Sequence, residues 1–564
     1  MNTKLTATAR LELFKELYLA AEEYRAEELE KMSRRMRQYL GSAEIDGSSE
    51  SAATVRNITY EIVESEISSD IPLPRVEPFS FSETHDGCAK AIEHLCLALR
   101  SRLPFEAMND SDERYTYILG GSVWFVEWDS EIEGGGDVRL HCLSPESFLP
   151  QPGIAEVEDM EYCFLRFSTT KGELMRRYGV GEERLCLAEC EYEYDGSLSI
   201  NDTVRLVTAF YRDEDGNIGK LLFSGDLLLE DSPAYYMRKG KLCPVCGATE
   251  GKCSCNEGYT EGNILVESVT EEGGTEIILP YYSPKKFPIV IRKNTLEEGS
   301  VYGSSDCDRI RPQQQAINKV ESRILSKLLR SGVTPVVPED ATVSVTNSVF
   351  GQVIKLRPGE SADSYGKIDT TPDIAQDIAE ADRLYDQAKR IIGISDALQG
   401  LDNNKNESGY ARQLKISQSS SRLESKKRLK NLCYSKIYSL IFEHYLAFAD
   451  EDRPLRYMDA LGRVHRSKFS RKDFIEKNER GEYRYCPDFI FTVDQSSESE
   501  YRRESLWQRN LESFQAGTLG NKDSPETLLR YWQAQAKAHY PYASDNAEYF
   551  KELIKNKNSN KESE

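Results

Sequence analysis

The sequence lacks the short motifs that mark most hydrolases and phosphate-transferring enzymes. Its 564 residues contain no GxxxxGK(S/T) phosphate loop, no HExxH zinc-protease motif and no GxSxG nucleophile elbow. The run Gly134-Gly135-Gly136 is typical of a turn rather than of a phosphate cradle, and no pair of carboxylates stands out from the acidic background. These absences predict a protein that is not an enzyme.

Long apolar runs and an excess of positive charge are also missing. Every apolar run is too short to span a bilayer, and the charged start of the chain predicts no secretory signal peptide. The net charge of −22 argues against a protein that coats nucleic acid, although it permits a local basic patch or a channel. A hydrophobic content of 39% is enough for real cores, and the length predicts several domains or one elongated subunit.

Cysteine is present as an odd number of residues, thirteen, most of them isolated within apolar segments. That distribution indicates buried thiols in a reducing compartment rather than a disulfide framework. Four of them form a compact group that suits tetrahedral zinc, and we predict a structural zinc knuckle at the tip of a hairpin at 240–258, with the ligands Cys243, Cys246, Cys253 and Cys255.

Two other interpretations of this cysteine group remain open, a redox pair and a set of free thiols at a protein-binding tip. The redox interpretation is the weaker one because no βαβ pattern surrounds the CxxC. None of the six histidines lies near the group, so we do not predict a catalytic metal there. A zinc content well below about one per chain would contradict the knuckle.

Hydrophobic periodicity predicts an α+β protein. Residues 4–39 are expected to form one or two amphipathic helices that lie on the body of this or a neighbouring subunit, with Leu13, Leu17, Ala20 and Tyr24 on the apolar face. Residues 41–53 have the composition of a flexible linker. Short strands with turn residues between them are predicted over 104–290, and 115–128 is predicted as two short strands, or as one strand with a bulge, across Gly120-Gly121.

The stretch from 302 to 414 predicts two helices that bracket a small β-rich excursion. The first helix has Ile310, Ile317 and Ile324 seven residues apart and is expected to end at Ser331-Gly332. The second opens at Thr371-Pro372-Asp373 and ends at Gly393. Its expected apolar face consists of Ile374, Ile378, Ala381, Tyr385 and Ala388. This arrangement predicts a stalk with a tip.

Several short sequence segments around and before the stalk are informative through their order and spacing. They are NITYEIVESEIS at 57–68, ILGGSVWFVEWD at 118–129, LSPESFLP at 143–150, FPIV at 287–290, YGSSD at 302–306, QQQAINK at 313–319, GQVIKL at 351–356, IGIS at 392–395 and NESGYA at 406–411. Over about residues 55 to 535 this series resembles the portal protein of tailed double-stranded-DNA bacteriophages.

The resemblance implies a division of the chain into the parts of that family. These are an N-terminal helix and linker at 1–54, a wing at 55–300, a first stem helix at 301–332, a clip at 333–370, a second stem helix at 371–393, a tunnel loop at 394–408, a long wing helix with returning wing strands at 409–500, crown helices at 501–550 and a disordered tail at 551–564. The cysteine hairpin matches no part of the family, and we place it on the periphery of the wing.

The resemblance also implies a function and a set of partners. The chain would be one subunit of a ring, usually of twelve, at one vertex of a virion capsid that assembles in the bacterial cytoplasm. A separate terminase large subunit would package DNA through the channel, and the genome would later be ejected through it. The other partners would be a head–tail adaptor, the major capsid protein and the scaffolding protein, with no membrane involved.

Two segments are the expected contacts with moving DNA. The predicted tunnel loop is rich in Asn, Asp and Ser, which suits sliding better than tight binding, and its expected DNA-facing residues are Asn403, Asn404, Lys405 and Asn406. Between 405 and 436 the sequence contains nine basic residues and only two acidic ones. They form either a belt that touches DNA phosphates or a face that is solvated or paired with the next subunit, with Arg412, Lys415, Lys426, Lys427 and Arg428 as the candidate contacts.

Two other functions are the alternatives to a portal. One is a zinc-containing nucleic-acid-binding enzyme or processing factor that uses the cysteine group as a binding module. The other is a different head–tail connector component, which the length disfavours because such adaptors are usually far shorter. A symmetric ring in solution would support the portal, whereas a monomer that binds DNA tightly and sequence-specifically would support the enzyme.

Overall fold

The structure is a computed structural model that describes most of the chain. The residues outside the description are 1–5, 43–54, 69, 80–82, 133–134, 193–201, 243–259, 264–265, 271–275, 331–332, 337–343, 349–350, 356–365, 370–372, 395–408, 459–463, 478–481, 495–499, 523, 538–539, 541 and 562–564. Within the described ranges, no helix combines the length and the apolar character that crossing a membrane requires.

Helices and strands are mixed along the described chain, as expected for an α+β protein. The helices are α1 (Ala7–Tyr39), α2 (Ile58–Glu66), α3 (Glu83–Arg102), α4 (Phe105–Leu119), α5 (Lys171–Tyr178), α6 (Asp306–Arg330), α7 (Ala375–Ile392), α8 (Gly409–Phe448), α9 (Glu500–Gln515), α10 (Pro525–Lys537) and α11 (Ala543–Lys561).

Most of the strands precede α6, and they are short. They are β1 (Leu73–Pro78), β2 (Gly121–Asp129), β3 (Asp137–Leu143), β4 (Phe148–Pro150), β5 (Tyr162–Thr170), β6 (Cys190–Tyr192), β7 (Thr203–Arg212), β8 (Ile218–Ser224), β9 (Leu227–Ser232), β10 (Lys239–Leu242), β11 (Thr260–Asn263), β12 (Val266–Thr270), β13 (Glu276–Pro280), β14 (Ile289–Lys293), β15 (Val333–Val336), β16 (Ser344–Ser348), β17 (Gly351–Lys355), β18 (Gly366–Asp369), β19 (Arg453–Met458), β20 (Val464–Phe469), β21 (Ile475–Lys477), β22 (Tyr483–Tyr485) and β23 (Phe489–Asp494).

The chain divides into two compact units. The first unit comprises Met1–Leu29, Ile67–Ser304 and Glu424–Glu564, and the second comprises Glu30–Glu66 and Ser305–Leu423. Each unit therefore contains segments that are distant in sequence, and α1 and α8 each contribute residues to both.

The main core of the first unit forms around the C-terminal half of α8. This part of the helix is apolar on most of its circumference, which is the pattern of a helix buried on all sides. Tyr434 packs edge-on against Trp124 of β2 with 5.6 Å between ring centroids. Helix α3 adds Ile92 and Leu95 to the same cluster. Strand β2 is the centre of a three-stranded sheet with the order β14-β2-β3.

A six-stranded sheet forms the second core of this unit, and the N-terminal half of α1 covers it. The strand order is β4-β5-β7-β8-β9, and β6 also pairs with β7. The buried side of α1 consists of Leu11, Phe14, Tyr18 and Ala21. Of the predicted apolar face, Leu17 is half-buried and packs against this core, but the prediction was wrong for Ala20, which is exposed, and for Tyr24, which is 55% exposed. Two apolar stripes run side by side on this helix, and aromatic packing of Phe14 and Tyr18 on Phe164 selects the other one.

Two predicted elements differ from the structure. Residues 115–119, predicted as strand, are the end of α4, and Gly120 closes this helix in the left-handed conformation with a φ of 102°. Aromatic and β-branched residues there favour a strand, but burial of Thr116, Tyr117 and Leu119 on a helix overrides that preference. Of the predicted disordered tail at 551–564, residues 551–561 belong instead to α11, which ends at Lys561. Its Lys and Glu residues have good helix propensity even without a core.

The second unit is built from α2, α6 and α7. Ile58 and Ile62 of α2 pack with Ile310 and Ile317 of α6 and with Tyr385 of α7. The structure therefore places α2 with the two stalk helices, although the sequence grouped it with the residues that follow it. Two residues predicted on the apolar faces are less enclosed, since Ile378 is 46% exposed and Ile324 is half-buried.

A nested pair of two-stranded ladders lies between α6 and α7. Val333 of β15 pairs with Asp369 of β18, and between these strands β16 pairs with β17 as a hairpin from Ser344↔Lys355 to Ser348↔Gly351. The chain thus leaves α6, makes a hairpin and returns beside its own starting strand before α7 begins. This is the small β-rich excursion predicted from the sequence.

Candidate nucleic-acid and metal sites

Several predicted site residues lie outside the described residues. These are the four cysteines of the proposed knuckle and the four residues of the tunnel loop, Cys243, Cys246, Cys253, Cys255, Asn403, Asn404, Lys405 and Asn406. Arg412 and Lys415 lie on α8, but their side chains are outside the description. The predictions for these residues stay predictions.

The basic segment of α8 is partly engaged within the first unit. Lys426 is half-buried, with its ammonium 4.8 Å from the centroid of the Tyr117 ring. Arg428 pairs with Glu424 one turn earlier at 2.9 Å. Lys436 pairs with Glu158 at 2.5 Å. Among the described residues, the exposed Lys427 makes no ion pair. Among the described members of this segment, Arg428 and Lys436 are therefore paired with acids inside the subunit, which favours the interpretation as a solvated or subunit-contact face.

Lys430, another member of the basic segment, lies in a buried cluster of charges. Its ammonium is 2.9 Å from a carboxylate oxygen of Glu113, which also accepts from Arg292 at 2.7 Å. Arg292 contacts Asp112 as well, and Asp112 accepts the indole N–H of Trp124 at 2.9 Å. Two cations and two anions thus form a neutral group that joins α4, β2, β14 and α8.

The electrostatics of this cluster follow from burial and pairing. Burial lowers the pKa of Lys430 despite its acidic neighbours. Burial alone would raise the pKa of Glu113, but the charges of Arg292 and Lys430 outweigh it and hold that pKa below its usual value. Burial alone would lower the pKa of Arg292. The charges of Asp112 and Glu113 outweigh burial and raise the pKa of Arg292 above its usual value. Each ion therefore depends on the others to remain charged.

Polar contacts fix the two stalk helices against each other. Asp377, near the start of α7, accepts hydrogen bonds from Arg323 and Lys327 near the end of α6, each at 2.5 Å. The Lys327 hydrogen bond is the largest of the effects that lower the pKa of Asp377. At the other end Ile392 packs on Ile310. The two helices therefore run antiparallel.

Four of the sequence segments that carry the resemblance meet in the first unit. Val290 of β14 pairs with Trp124 of β2. The N–H of Gly303 donates to the carbonyl of Gly120 at 3.0 Å. The buried Tyr302 donates its hydroxyl to the carbonyl of Pro145 at 3.2 Å. A Cβ at position 303 would lie 2.1 Å from a backbone oxygen of the chain nearby, so only glycine fits there.

A group of metal-ligand side chains that the sequence did not predict lies elsewhere in the first unit. His85 of α3, Glu476 of β21 and Cys486 after β22 place their ligand atoms within 4.8 Å of one another. The imidazole Nε2 of His85 contacts the carboxylate Oε1 of Glu476 as a hydrogen bond. These residues come from opposite ends of the chain, and the His85-x2-Cys88 spacing on α3 is the only local sequence signal of the group.

Comparisons with known proteins add no relative. No family model matches the chain, and no curated protein matches it.

Proposed function

We propose that the chain is a subunit of a ring-shaped portal through which double-stranded DNA enters and leaves a phage capsid. In this proposal α6 and α7 are the stem, β15–β18 belong to the clip, and α8 is the long wing helix. The subunit is not an enzyme, and a separate terminase supplies the energy of packaging. Its other partners are a head–tail adaptor, the major capsid protein and the scaffolding protein.

The stalk is the single observation that carries the proposal. Two antiparallel helices enclose a β tip whose first and last strands pair with each other, and a helix of 40 residues follows in the chain. At 1.5 Å per residue that helix is about 60 Å long. An arrangement of this kind suits a wall element that repeats around a channel, with the tip available for docking.

Surface chemistry of the stalk also supports assembly with copies of itself. Ile378 and Ile391 lie on either side of the buried face of α7, and each is 46% exposed. Their apolar surface is suited to burial against the next subunit of a ring. On α6 six basic side chains outnumber three acidic ones, against the trend of the whole chain. A helix with this charge can face a polyanion without binding it tightly.

We expect the purified protein to form symmetric rings of about a dozen subunits. Negative-stain electron microscopy and light-scattering mass of the full chain are the measurements, and Ile378→Asp with Ile391→Asp should shift the population to smaller species. Arg383→Asp, a change at an exposed site on the same helix, is the control for added charge. A protein that stays monomeric and binds DNA sequence-specifically would contradict the portal and support the zinc-containing nucleic-acid enzyme.

Neutralising three residues of the basic segment should leave packaging unchanged. We expect Lys426→Gln, Lys427→Gln and Arg428→Gln together to change packaged DNA less than about twofold, because Tyr117 and Glu424 already engage two of the three. The measurement is DNA per capsid in a packaging reaction, with ring assembly checked by microscopy. A large loss of packaged DNA from intact rings would instead assign these side chains to a DNA-contacting belt.

A further inference from the structure

The group formed by His85, Glu476 and Cys486 has the composition of a transition-metal site. It offers an imidazole nitrogen, a carboxylate oxygen and a thiol sulfur, and zinc binds all three. The histidine and the glutamate are half-buried, with 23% and 29% of their side chains exposed, and Cys486 is 6% exposed. A metal ion could therefore reach the group from solvent while the thiolate remained sheltered.

The backbone around these residues is well defined. His85 lies in the first turn of α3. Glu476 lies opposite Arg484 in the antiparallel β21–β22 pair, and Cys486 follows that pair directly. The N–H of Cys486 donates to the carbonyl of Phe474 at 2.8 Å, which continues the hairpin by one more contact. Two ligands thus come from one hairpin, and the third comes from a helix turn that faces it.

We propose that His85, Glu476 and Cys486 bind one zinc ion, which joins α3 to the β21–β22 hairpin. With bond lengths of about 2.0–2.3 Å, tetrahedral zinc holds its ligand atoms roughly 3.3–3.8 Å apart. The observed ligand atoms all lie within 4.8 Å of one another, so side-chain rotations that move these atoms by about an ångström bring them to that spacing. The imidazole and the carboxylate, which already touch, separate slightly as the ion enters between them.

Cys88 is the candidate for a fourth ligand on α3, and its sulfur lies outside the close group formed by the other three ligand atoms. It follows His85 by three residues, so both side chains project from the same face of α3. Its thiol is buried and donates to the carbonyl of Asp473, in the segment that leads into β21, at 3.3 Å. A rotation of this side chain away from Asp473 would complete a set of two sulfurs, one nitrogen and one oxygen.

Proton balance of the binding step is simple. Zinc binds the cysteine side chains as thiolates, so each thiol that becomes a ligand releases its proton to solvent. His85 binds through Nε2 of a neutral imidazole whose one N–H is at Nδ1, so this ligand releases no net proton. With Glu476 and one thiolate the ion is neutralised, and Cys88 would bring the net charge of the site to −1.

The consequence of such a site is a cross-link between distant parts of the chain. His85 and Glu476 are separated by 391 positions. The ion would fasten the hairpin to α3, where Cys88 and Phe474 already belong to one hydrophobic cluster. This inference is independent of the portal proposal and of the cysteine hairpin at 240–258, since none of its ligands is shared with either.

Zinc content per chain tests the proposal. Full-length wild-type protein, purified with zinc and freed of loose metal, is compared with His85→Gln and with Cys486→Ser by elemental analysis. Each variant should contain about one zinc fewer per chain than the wild type. His141→Gln is the matched control because His141 also lies beside a glutamate, Glu127, at 3.3 Å. Cys186→Ser is the control for loss of an exposed thiol, and both controls should retain the full zinc content.

The proposal would be overturned if folded His85→Gln and Cys486→Ser contained as much zinc per chain as the wild type. It would also be overturned if the zinc content of the two control variants fell as much as that of these two. The double substitution Cys243→Ser with Cys246→Ser separates this site from the predicted cysteine knuckle, because it should leave zinc bound at His85, Glu476 and Cys486.

A second measurement needs no variant. Removing zinc from the wild type with a chelator should speed amide hydrogen exchange at least about tenfold in the second turn of α3, whose N–H groups donate within the helix, and in β21–β22. Unchanged exchange in both segments contradicts the site.

Discussion

Arg292→Met is expected to lower the free energy of unfolding by about 3–5 kcal/mol. Methionine keeps much of the aliphatic volume but removes the guanidinium, whose side chain is 1% exposed and contacts both Asp112 and Glu113. Only Lys430 would then face two buried carboxylates. Denaturant unfolding followed by tryptophan fluorescence is suitable because Trp124 donates to Asp112 within the same cluster.

The matched control for this change is Arg428→Met. Arg428 also pairs with a glutamate, but its side chain is 73% exposed, so the expected loss is below about 0.5 kcal/mol. Adding Asp112→Asn to Arg292→Met should recover part of the loss, because Lys430 still pairs with Glu113 and the carboxylate that lost its cation is that of Asp112. A loss below about 1 kcal/mol for Arg292→Met alone would show that the cluster does not depend on its arginine.

Acidification from pH 8 to pH 4 is expected to remove about 3 kcal/mol of stability through His444 alone. This side chain is fully buried beside Tyr236, its Nδ1 donates to the carbonyl of Leu440 at 2.7 Å, and burial lowers its pKa to about 4. In the unfolded chain the pKa is about 6.5, so the unfolded state binds the proton first. The contribution is therefore complete above pH 6.5 and is lost as the pH falls towards 4.

The variant His444→Gln isolates this effect from the titration of carboxylates. Glutamine can still donate to the Leu440 carbonyl but carries no titrating group, so its stability should fall less steeply between pH 6.5 and pH 4. Protein concentration must be the same at every pH because assembly would also alter the apparent stability. Parallel pH profiles for wild type and His444→Gln would refute the assignment.

Local sequence signals predicted the stalk well. The long helix begins at Gly409, as predicted, and Gly393 closes α7 in the left-handed conformation, as expected of a glycine at a helix end. The start of α7 was predicted less well, because the helix begins at Ala375 and its N-cap residue, Ile374, makes no side-chain cap hydrogen bond. The β tip was also predicted, because breakers on both sides isolate a short segment rich in β-branched residues.

Features that depend on tertiary contacts were not predicted. Helix α1 has two adjacent apolar stripes, and only the sheet beneath it decides which one is buried. The Arg292 cluster consists of charges that look solvated in sequence and become a core group when four elements meet. His85 and Glu476 are too far apart for any spacing rule to connect them. In each case the deciding partner is a residue that periodicity does not identify.

The ladder between β15 and β18 makes the tip of the stalk tolerant of change in length. Val333 and Asp369 are paired directly where the chain leaves α6 and returns towards α7, so the distance between the helices is set there. Lengthening the chain between these strands leaves the distance between the helices unaltered. Doubling the number of residues in that connection would cost only about 0.6 kcal/mol of additional loop-closure entropy. The tip can therefore change in length and in sequence while α6 and α7 stay the same.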